Sequence, residues 1–282
     1  QLCVRGRFGV VDVVHSLTRL KTPMVRRNGR LVEVSWDEAL NAVAEGLKQF
    51  RGDQFAAVGS AASTNEESYV LQKFARAVMH SNNVALAAGF PELQNTAELV
   101  ETLRTINSPA IQDIRDAKSI LAIGTNVFES HPIIGVEIRH ALSKGAHLIT
   151  VDARETDMAK RSDVWLRPKV GTDHILLAGM IKVLAKQRRG LRPRKLVSLD
   201  LAKVEATTGV KEDAVTTAAQ MLAKHTPAIV IYGSGVTHYP TAPNVIRAIR
   251  SLAFVVGDME IVGIPGEANF VGAHDMGVHP AL

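Results

Sequence analysis

Candidate chemistry is concentrated where two apolar segments end in the middle of the chain. Residues 121–123 (LAI) are followed by Gly124, and residues 147–151 (HLITV) are followed by Asp152 and Arg154. A glycine turn between a strand and a helix leaves free backbone amides where a diphosphate can bind. Asp152 can accept hydrogen bonds from a ribose or a base edge, and Arg154 offers a forked donor to phosphate or guanine. The pattern indicates a nucleotide site, although a wound domain whose glycines only form turns also fits it.

The elements that must position these residues are buried strands joined by a helix. Residues 120–123 and 148–151 contain no charge, which is typical of strands buried on both faces of a parallel sheet. Parallel neighbours require a crossover connection, and residues 133–142 predict that helix, with Pro132 near its start. This strand–helix–strand unit predicts a Rossmann-like dinucleotide-binding topology.

The same pattern recurs later in the chain. Residues 228–232 predict an apolar strand, Gly233 the turn after it, and residues 243–254 the next helix. Further strands are predicted at 55–58 and 164–166. The remaining predicted elements are helices at 65–79, 172–185 and 212–224, weak helical character at 93–103, an irregular to helical stretch at 191–208, and a Gly-rich tail from 257. We therefore predict an α/β fold with two interleaved lobes and wound parallel sheets.

A hairpin and a capped helix are predicted near the start of the chain. Residues 25–27 and 31–34 flank Asn28-Gly29, a pair that accepts the positive φ angles of a type I′ turn. Ser35 then predicts a helix cap, with Glu38 completing a capping box. The apolar stripe of this helix is expected to consist of Ala39, Leu40, Val43 and Leu47.

Length and composition indicate a globular protein. The 282 residues correspond to one large or two ordinary domains, and the hydrophobic and charged fractions are 46% and 22%. No apolar run reaches the roughly 18 residues of a membrane span, so we expect no direct membrane insertion. Arg5, Arg7 and Asp12 interrupt the first segment, which does not resemble a signal peptide. We expect an internal fragment of a cytoplasmic protein, a location compatible with peripheral association with a membrane complex.

The net charge of +5 does not indicate nucleic-acid binding. The basic residues are scattered except for a dense run at 182–195, which surrounds Gly190 and Pro193 and has no interleaved aromatic residues. Such a run is typical of a solvated helix end and loop, and we expect no nucleic-acid partner. A basic surface suits an anionic cofactor or acidic partner subunits.

Other candidate catalytic or metal-binding groups are weak. The single cysteine, Cys3, excludes an internal disulfide. His274 and His279 lie five residues apart without a third ligand, so we expect a loop without metal. Ser234 lies in Gly-Ser-Gly rather than in the G-x-S-x-G motif of hydrolases, and hydrolase chemistry is not supported.

Eleven short motifs follow one another in a fixed order along nearly the whole chain. They are residues 3–9 (CVRGRFG), 19–25 (RLKTPMV), 36–40 (WDEAL), 63–69 (STNEESY), 72–76 (QKFAR), 123–126 (IGTN), 129–132 (ESHP), 151–154 (VDAR), 171–173 (GTD), 266–269 (GEAN) and 272–277 (GAHDMG). In this order they resemble the molybdopterin oxidoreductase family, which includes formate dehydrogenase and periplasmic nitrate reductase. They also resemble its molybdenum-free relative, the large iron–sulfur subunit of respiratory NADH dehydrogenase.

The resemblance implies a site for a pterin–guanine dinucleotide, two of which hold a metal through dithiolene sulfurs in the family. Asp152 and Arg154 would meet its guanine or ribose end. The other implied contacts are Gly124, Thr125 and Asn126 beneath the dinucleotide, Glu129 and His131 at the rim, Gly171, Thr172 and Asp173 at the side, and Gly233 and Asn269.

The resemblance also implies a division into domains. Residues 1–23 would end an iron–sulfur domain, and Cys3 would be the last ligand of a 4Fe–4S cluster in the intact protein only, because one thiolate cannot hold a cluster. Residues 24–85 would begin a second domain, 86–265 would form a Rossmann-like pterin-dinucleotide domain, and 266–282 would be a return segment.

Three departures from the family pattern suggest that metal chemistry is absent. The stretch at 84–93, where the metal's protein ligand is expected, has no Cys, Ser, Asp or His. Its Glu92 is better interpreted as a solvated or capping carboxylate than as a metal ligand. Pro265 stands where formate dehydrogenases have an arginine, and Arg5 stands where the metal enzymes usually have lysine.

These departures favour a fragment of an electron-transfer subunit like that of NADH dehydrogenase, a scaffold without molybdenum whose partners are other subunits of a redox complex. One alternative is the cofactor-binding part of an active molybdopterin enzyme such as formate dehydrogenase. A second alternative is an unrelated nucleotide-binding module. For the isolated chain we expect no turnover of formate, nitrate or NADH and no stoichiometric molybdenum or iron. Binding of molybdopterin guanine dinucleotide, although not expected in the fragment, remains compatible with its glycine turns and basic surface.

Overall fold

The computed structural model of the chain describes residues 3–87, 109–187 and 199–279. The chain divides into two compact units, one formed by Gln1–Ala87 with Gly272–Leu282 and the other by Ala88–Val271. The helical character predicted at 93–103, Glu92, and most of the basic run at 182–195 lie outside the described residues. The domain boundaries inferred from sequence remain predictions for the intact protein.

The first unit begins with a π-helical turn (Arg5–Gly9), helix α1 (Val10–Val14) and an antiparallel hairpin. Strands β1 (Met24–Arg27) and β2 (Arg30–Glu33) flank Asn28 and Gly29, whose φ angles are 48° and 80°. Both angles lie in the left-handed region that a type I′ turn requires. The predicted hairpin is confirmed.

Helix α2 (Trp36–Leu47) begins where the sequence predicts, but its predicted capping box is wrong. The Ser35 side chain accepts a hydrogen bond from the Glu38 amide, whereas the Glu38 carboxylate pairs with Arg27 and leaves the capping box half-formed. The apolar stripe is largely exposed, with Leu40 at 59% and Val43 at 55% exposure. Periodicity determined which face is apolar, but not what covers it.

The rest of the first unit is a small α/β core. Strands β3 (Ala57–Gly59) and β4 (Val84–Leu86) are parallel, and helix α3 (Asn65–Lys73) continues as a π-helical turn (Phe74–Val78). The helix predicted at 65–79 is confirmed, whereas its capping box, formed by Thr64 and Glu67, was missed. One cluster of buried apolar residues here consists of Ala57, Ala75, Val84 and Val278.

The second unit is built on a five-stranded parallel sheet in the order β7-β6-β5-β8-β9. The strands are β5 (Ser119–Ile123), β6 (His147–Val151), β7 (Val164–Leu166), β8 (Ala228–Tyr232) and β9 (Met259–Gly263). All residues of β5 and β8 are buried, as uncharged central strands should be. The predicted α/β class with a wound parallel sheet is confirmed, and the topology is compatible with a Rossmann-like fold.

The remaining helices lie between or after these strands. They are α4 (Val127–Ser130), α5 (Pro132–Ser143), α6 (Asp157–Arg161), α7 (Asp173–Gln187), α8 (Leu201–Thr208), α9 (Glu212–Lys224), α10 (Ser234–Thr237), α11 (Ala242–Val256) and α12 (Phe270–Asp275). Pro132 occupies the first position of α5, where its missing amide costs no hydrogen bond. In the three described ranges, no helix is long and apolar enough to cross a membrane.

The direction in which strands are added reverses between β5 and β8. From β5 the chain adds β6 and then β7 on one side, and it returns to place β8 and then β9 on the other side. The loops that follow β5 and β8 therefore diverge at the carboxyl edge of the sheet. In open α/β sheets this topological switch point is where ligands bind.

Several elements of the second unit were not predicted. Strand β9 lies in the stretch that was predicted to be a Gly-rich tail. It was missed because Glu260 interrupts its apolar run, as an edge strand allows. In the first unit, His274 lies on α12, so its predicted loop placement is wrong. A 3-10 helix (Ile111–Asp116) and α6, which is capped by Thr156, were also missed.

The central strands should dominate the stability of the second unit. Leu121 in β5 is completely buried, and we expect Leu121→Ala to lower the free energy of unfolding by about 2–5 kcal/mol because it leaves a cavity. Val170→Ala, at a side chain that is 60% exposed, should change it by no more than about 0.5 kcal/mol. Urea unfolding measures both variants, and equal losses would contradict the assignment of the core.

Candidate functional site

Loops that follow four adjacent strands form a cleft at the carboxyl edge of the parallel sheet. Its volume is roughly 530 Å³. The described residues that line it are Gly124 after β5; Val151, Asp152, Ala153 and Arg154 at and after the end of β6; Pro168, Val170, Gly171 and Asp173 after β7; and Ser234, Gly235, His238 and Tyr239 after β8. The cleft therefore coincides with the switch point of the sheet.

Two glycine turns are in direct backbone contact at the centre of this cleft. The Gly235 amide donates to the Gly124 carbonyl oxygen at 2.8 Å. A Cβ placed on Gly235 would lie 2.7 Å from the Cα of Gly124, and one placed on Gly124 would lie 2.8 Å from the carbonyl carbon of Gly235. Gly124 also has a φ of +55°, so both turns need glycine.

Asp152 is held in a fixed orientation directly after β6. It is only 7% exposed, and its Oδ1 accepts a hydrogen bond from the Arg154 amide at 2.8 Å. The Trp165 indole donates to the Asp152 carbonyl oxygen at 2.9 Å, which fixes the backbone as well. The Arg154 side chain is 80% exposed, with its Nε 3.8 Å from the Asp152 Oδ1. A buried acceptor thus stands beside a cation that can turn toward a phosphate.

Asp173 places a second carboxylate in the cleft, at the start of α7. Burial is the main cause that raises the pKa of Asp173 above its ordinary value of 3.8, and the Asp152 carboxylate raises it further. The His174 charge acts in the opposite direction. Two carboxylates in one cleft, with the Arg154 Nε 3.8 Å from the Asp152 Oδ1, suit a ligand that brings its own N–H or O–H donors.

Five of the predicted site residues come together here: Gly124, Asp152, Arg154, Gly171 and Asp173. Gly171 has a φ of +81° and turns the chain into α7. Thr172, which lies between Gly171 and Asp173 in the chain, is not a lining residue. Its hydroxyl donates a hydrogen bond to the Lys169 carbonyl oxygen at 2.6 Å. The roles assigned to all of these residues remain predictions.

The other predicted residues do not line the cleft. Thr125 is buried and lies against Gly233, where an added Cβ would be 2.8 Å from its Oγ1. Asn126 precedes α4 with a buried Oδ1 that has no hydrogen-bond partner among the described residues. Glu129 is exposed on α4. The two remaining residues are His131, where burial lowers the imidazole pKa, and the partly buried Asn269.

Sequence reasoning missed the part of the cleft that follows β8. Ser234, Gly235, His238 and Tyr239 line it, and only Gly233 was selected there. The available signal was the second strand-and-glycine pattern, because equivalent turns on adjacent parallel strands meet at one edge of the sheet. This pattern pointed to Ser234 and Gly235 in the turn after β8 as candidate lining residues, but not to His238 and Tyr239 beyond it.

Cys3 and the histidine pair at the end of the chain lie in the first unit. Cys3 is a free, partly exposed thiol whose pKa is lowered, chiefly by a hydrogen bond from the Gly6 backbone. The rings of His274 and His279 stack with centroids 4.0 Å apart. Across residues 3–87, 109–187 and 199–279, no group of three or more His, Cys, Asp or Glu side chains is arranged to hold a metal ion.

Comparison with known proteins agrees with this architecture. The profile of the family described as molybdopterin oxidoreductase matches residues 19–282. The chain therefore belongs to the molybdopterin oxidoreductase family.

Relatives within the family include formate dehydrogenases. The chain is 34% identical over 300 residues to F420-dependent formate dehydrogenase 1 subunit alpha of Methanococcus maripaludis, covering 99% of this chain and 44% of that protein. It is also 34% identical over 308 residues to formate dehydrogenase H of Escherichia coli, covering 99% of this chain and 43% of that protein. The chain thus spans less than half the length of these relatives.

A solved structure shares the fold. Acetylene hydratase from Pelobacter acetylenicus matches 91% of this chain and 38% of its own, with a TM-score of 0.71 and 22% sequence identity. At this identity the likeness concerns the fold alone.

The contact between the glycine turns should not tolerate a side chain. We expect Gly235→Ala to lower the free energy of unfolding by about 1–3 kcal/mol, because its Cβ would press on the Gly124 backbone. Gly266→Ala is the matched control, since no atom lies within 4 Å of its added Cβ, and it should be neutral or slightly stabilising. Urea unfolding of both variants provides the test, and an equally neutral Gly235→Ala would show that the turns are not tightly packed.

The raised pKa of Asp173 has a consequence for stability. A carboxyl whose pKa is higher in the folded state stabilises the fold below its ordinary pKa of 3.8, and this contribution is lost as the pH rises through the raised value. We therefore expect Asp173→Asn to be more stable than the wild type at neutral pH. The advantage should shrink as the pH is lowered toward 3.8.

Urea unfolding at a series of pH values measures the effect of Asp173→Asn. Asp157→Asn, at an exposed carboxylate on α6, is the control and should show no gain at neutral pH. A pH-independent difference between Asp173→Asn and the wild type would refute the burial of an ionised carboxylate.

Proposed function

We propose that the chain is the cofactor-binding part of a molybdopterin oxidoreductase of the formate dehydrogenase type. The observation that carries the proposal is the cleft at the switch point, where glycine turns, two carboxylates and an exposed guanidinium meet in a member of this family. The formate dehydrogenase relatives support this reading better than they support the scaffold related to NADH dehydrogenase.

The residues present fit a pterin–guanine dinucleotide. Asp152 and Asp173 offer acceptors to the N1–H and amino donors of a guanine. The turns at Gly124 and Gly235 line the cleft at the carboxyl ends of β5 and β8, where a diphosphate can lie. Arg154, at the mouth of the cleft, supplies a cation for phosphate oxygens.

When bound, the metal–pterin group would supply the two-electron chemistry, in which formate becomes carbon dioxide with release of one proton and two electrons. The residues of this chain would bind and orient the nucleotide end and exclude water from it. The relatives named as alpha subunits support the presence of partner subunits. Cys3 as a ligand of a 4Fe–4S cluster in the intact protein is part of this proposal.

A scaffold role without molybdenum is the second candidate, favoured by the sequence. No Cys, Ser, Asp or His occurs at 84–93, and Pro265 replaces an arginine of the formate dehydrogenase pattern. If the chain is such a scaffold, it keeps the cleft but the intact protein holds no molybdenum. Metal analysis and a formate oxidation assay of the intact protein separate the two. Near one molybdenum per chain with turnover supports the enzyme, and nucleotide binding without either supports the scaffold.

Nucleotide binding itself is tested with guanosine diphosphate. We expect Asp152→Asn to weaken its binding to the chain by about 10- to 100-fold, the equivalent of one hydrogen bond to a charged group. Asp258→Asn is the control, because that exposed carboxylate lies just before β9, at the opposite edge of the sheet. Calorimetric titration measures all three proteins, and a wild type that does not bind guanosine diphosphate would contradict the proposal.

A further inference from the structure

The loop after β8 brings a single large aromatic ring into the cleft. Of the cleft residues in the described part of the chain, Tyr239 alone is a Phe, Tyr or Trp, and it is 38% exposed. Its carbonyl oxygen accepts a hydrogen bond from the Ala242 amide at 2.9 Å, at the start of α11. The backbone that carries the ring is thereby anchored to a long helix, while part of the side chain remains accessible to a ligand.

The order of the strands separates this ring from the two carboxylates. Asp173 and Asp152 follow β7 and β6, whereas Tyr239 follows β8, with β5 and the Gly124 turn between them. Neighbouring strands lie about 4.8 Å apart, so the ends of β6 and β8 are about 10 Å apart and those of β7 and β8 about 14 Å. The loops that carry the acceptors and the loop that carries Tyr239 therefore lie on opposite sides of the Gly124 turn.

We propose that Tyr239 is a stacking platform for the second planar heterocycle of a bound dinucleotide. This inference rests on the proposed function, in which Asp152 and Asp173 hold the first heterocycle and the diphosphate crosses the glycine turns. An aromatic face binds any flat heterocycle by stacking, whereas the carboxylates select for donors on the base edge. The cleft thus distinguishes a dinucleotide from a mononucleotide through Tyr239, a specificity residue rather than a catalytic one.

The test compares guanosine diphosphate with di(guanosine-5′) diphosphate, which carries a second heterocycle. We expect Tyr239→Ala to weaken binding of the dinucleotide about ten-fold and to leave guanosine diphosphate unchanged. Tyr239→Phe keeps the ring and should bind both ligands as the wild type does. Tyr69→Ala, at a 47% exposed tyrosine of the first unit, is the matched control and should change neither affinity.

Two results would overturn this role of Tyr239: an unchanged dinucleotide affinity in Tyr239→Ala, or an equal loss for both ligands. If the wild type binds neither nucleotide, the proposed function fails with it. If Asp152→Asn weakens both ligands while Tyr239→Ala weakens neither, only the stacking role fails. Circular dichroism confirms that each variant is folded, and Tyr239→Leu, which removes the ring but keeps apolar bulk, replaces the alanine variant if that one unfolds.

Discussion

The contact between two glycine turns is the constraint on which the candidate site depends. The Gly124 and Gly235 backbones touch at the point where strand order reverses, and neither position has room for a Cβ. This contact joins the ends of β5 and β8 and keeps side chains away from the switch point. Asp152 and Asp173 line the same cleft as these turns, and burial is the main cause that raises the pKa of Asp173.

The fold was predictable where an uncharged run or a clear amphipathic helical period marked the element. The strands at 164–166 and 228–232 and the helix at 212–224 have the bounds that the sequence predicts. Strand β9 was missed because an edge strand tolerates a charged residue such as Glu260. The apolar stripe of α2 shows that a correctly predicted helix can still have an unpredicted degree of burial. Its period predicted a helix correctly, but burial depends on partners that helical periodicity does not encode.

The candidate site was partly predictable, because topology brings strand ends together. Gly124 and Asp152 end apolar strands, and the rule that ligands bind at carboxyl ends of parallel strands selects them without a structure. Family resemblance alone selected Glu129 and His131, which lie outside the cleft lining. Tyr239 was missed because no spacing rule connects a residue beyond a short helix to a turn more than a hundred positions earlier. Only the strand order, which places β8 beside β5, makes them neighbours.

An experimental structure of the intact protein, purified with whatever cofactor it carries, would show directly whether this cleft binds a dinucleotide. We expect density for a dinucleotide along the carboxyl edge of the sheet. Its diphosphate should cross the Gly124–Gly235 contact, and its guanine should lie against Asp152. A dinucleotide bound elsewhere on the protein, with this cleft filled only by solvent, would show that the cleft is not the dinucleotide site.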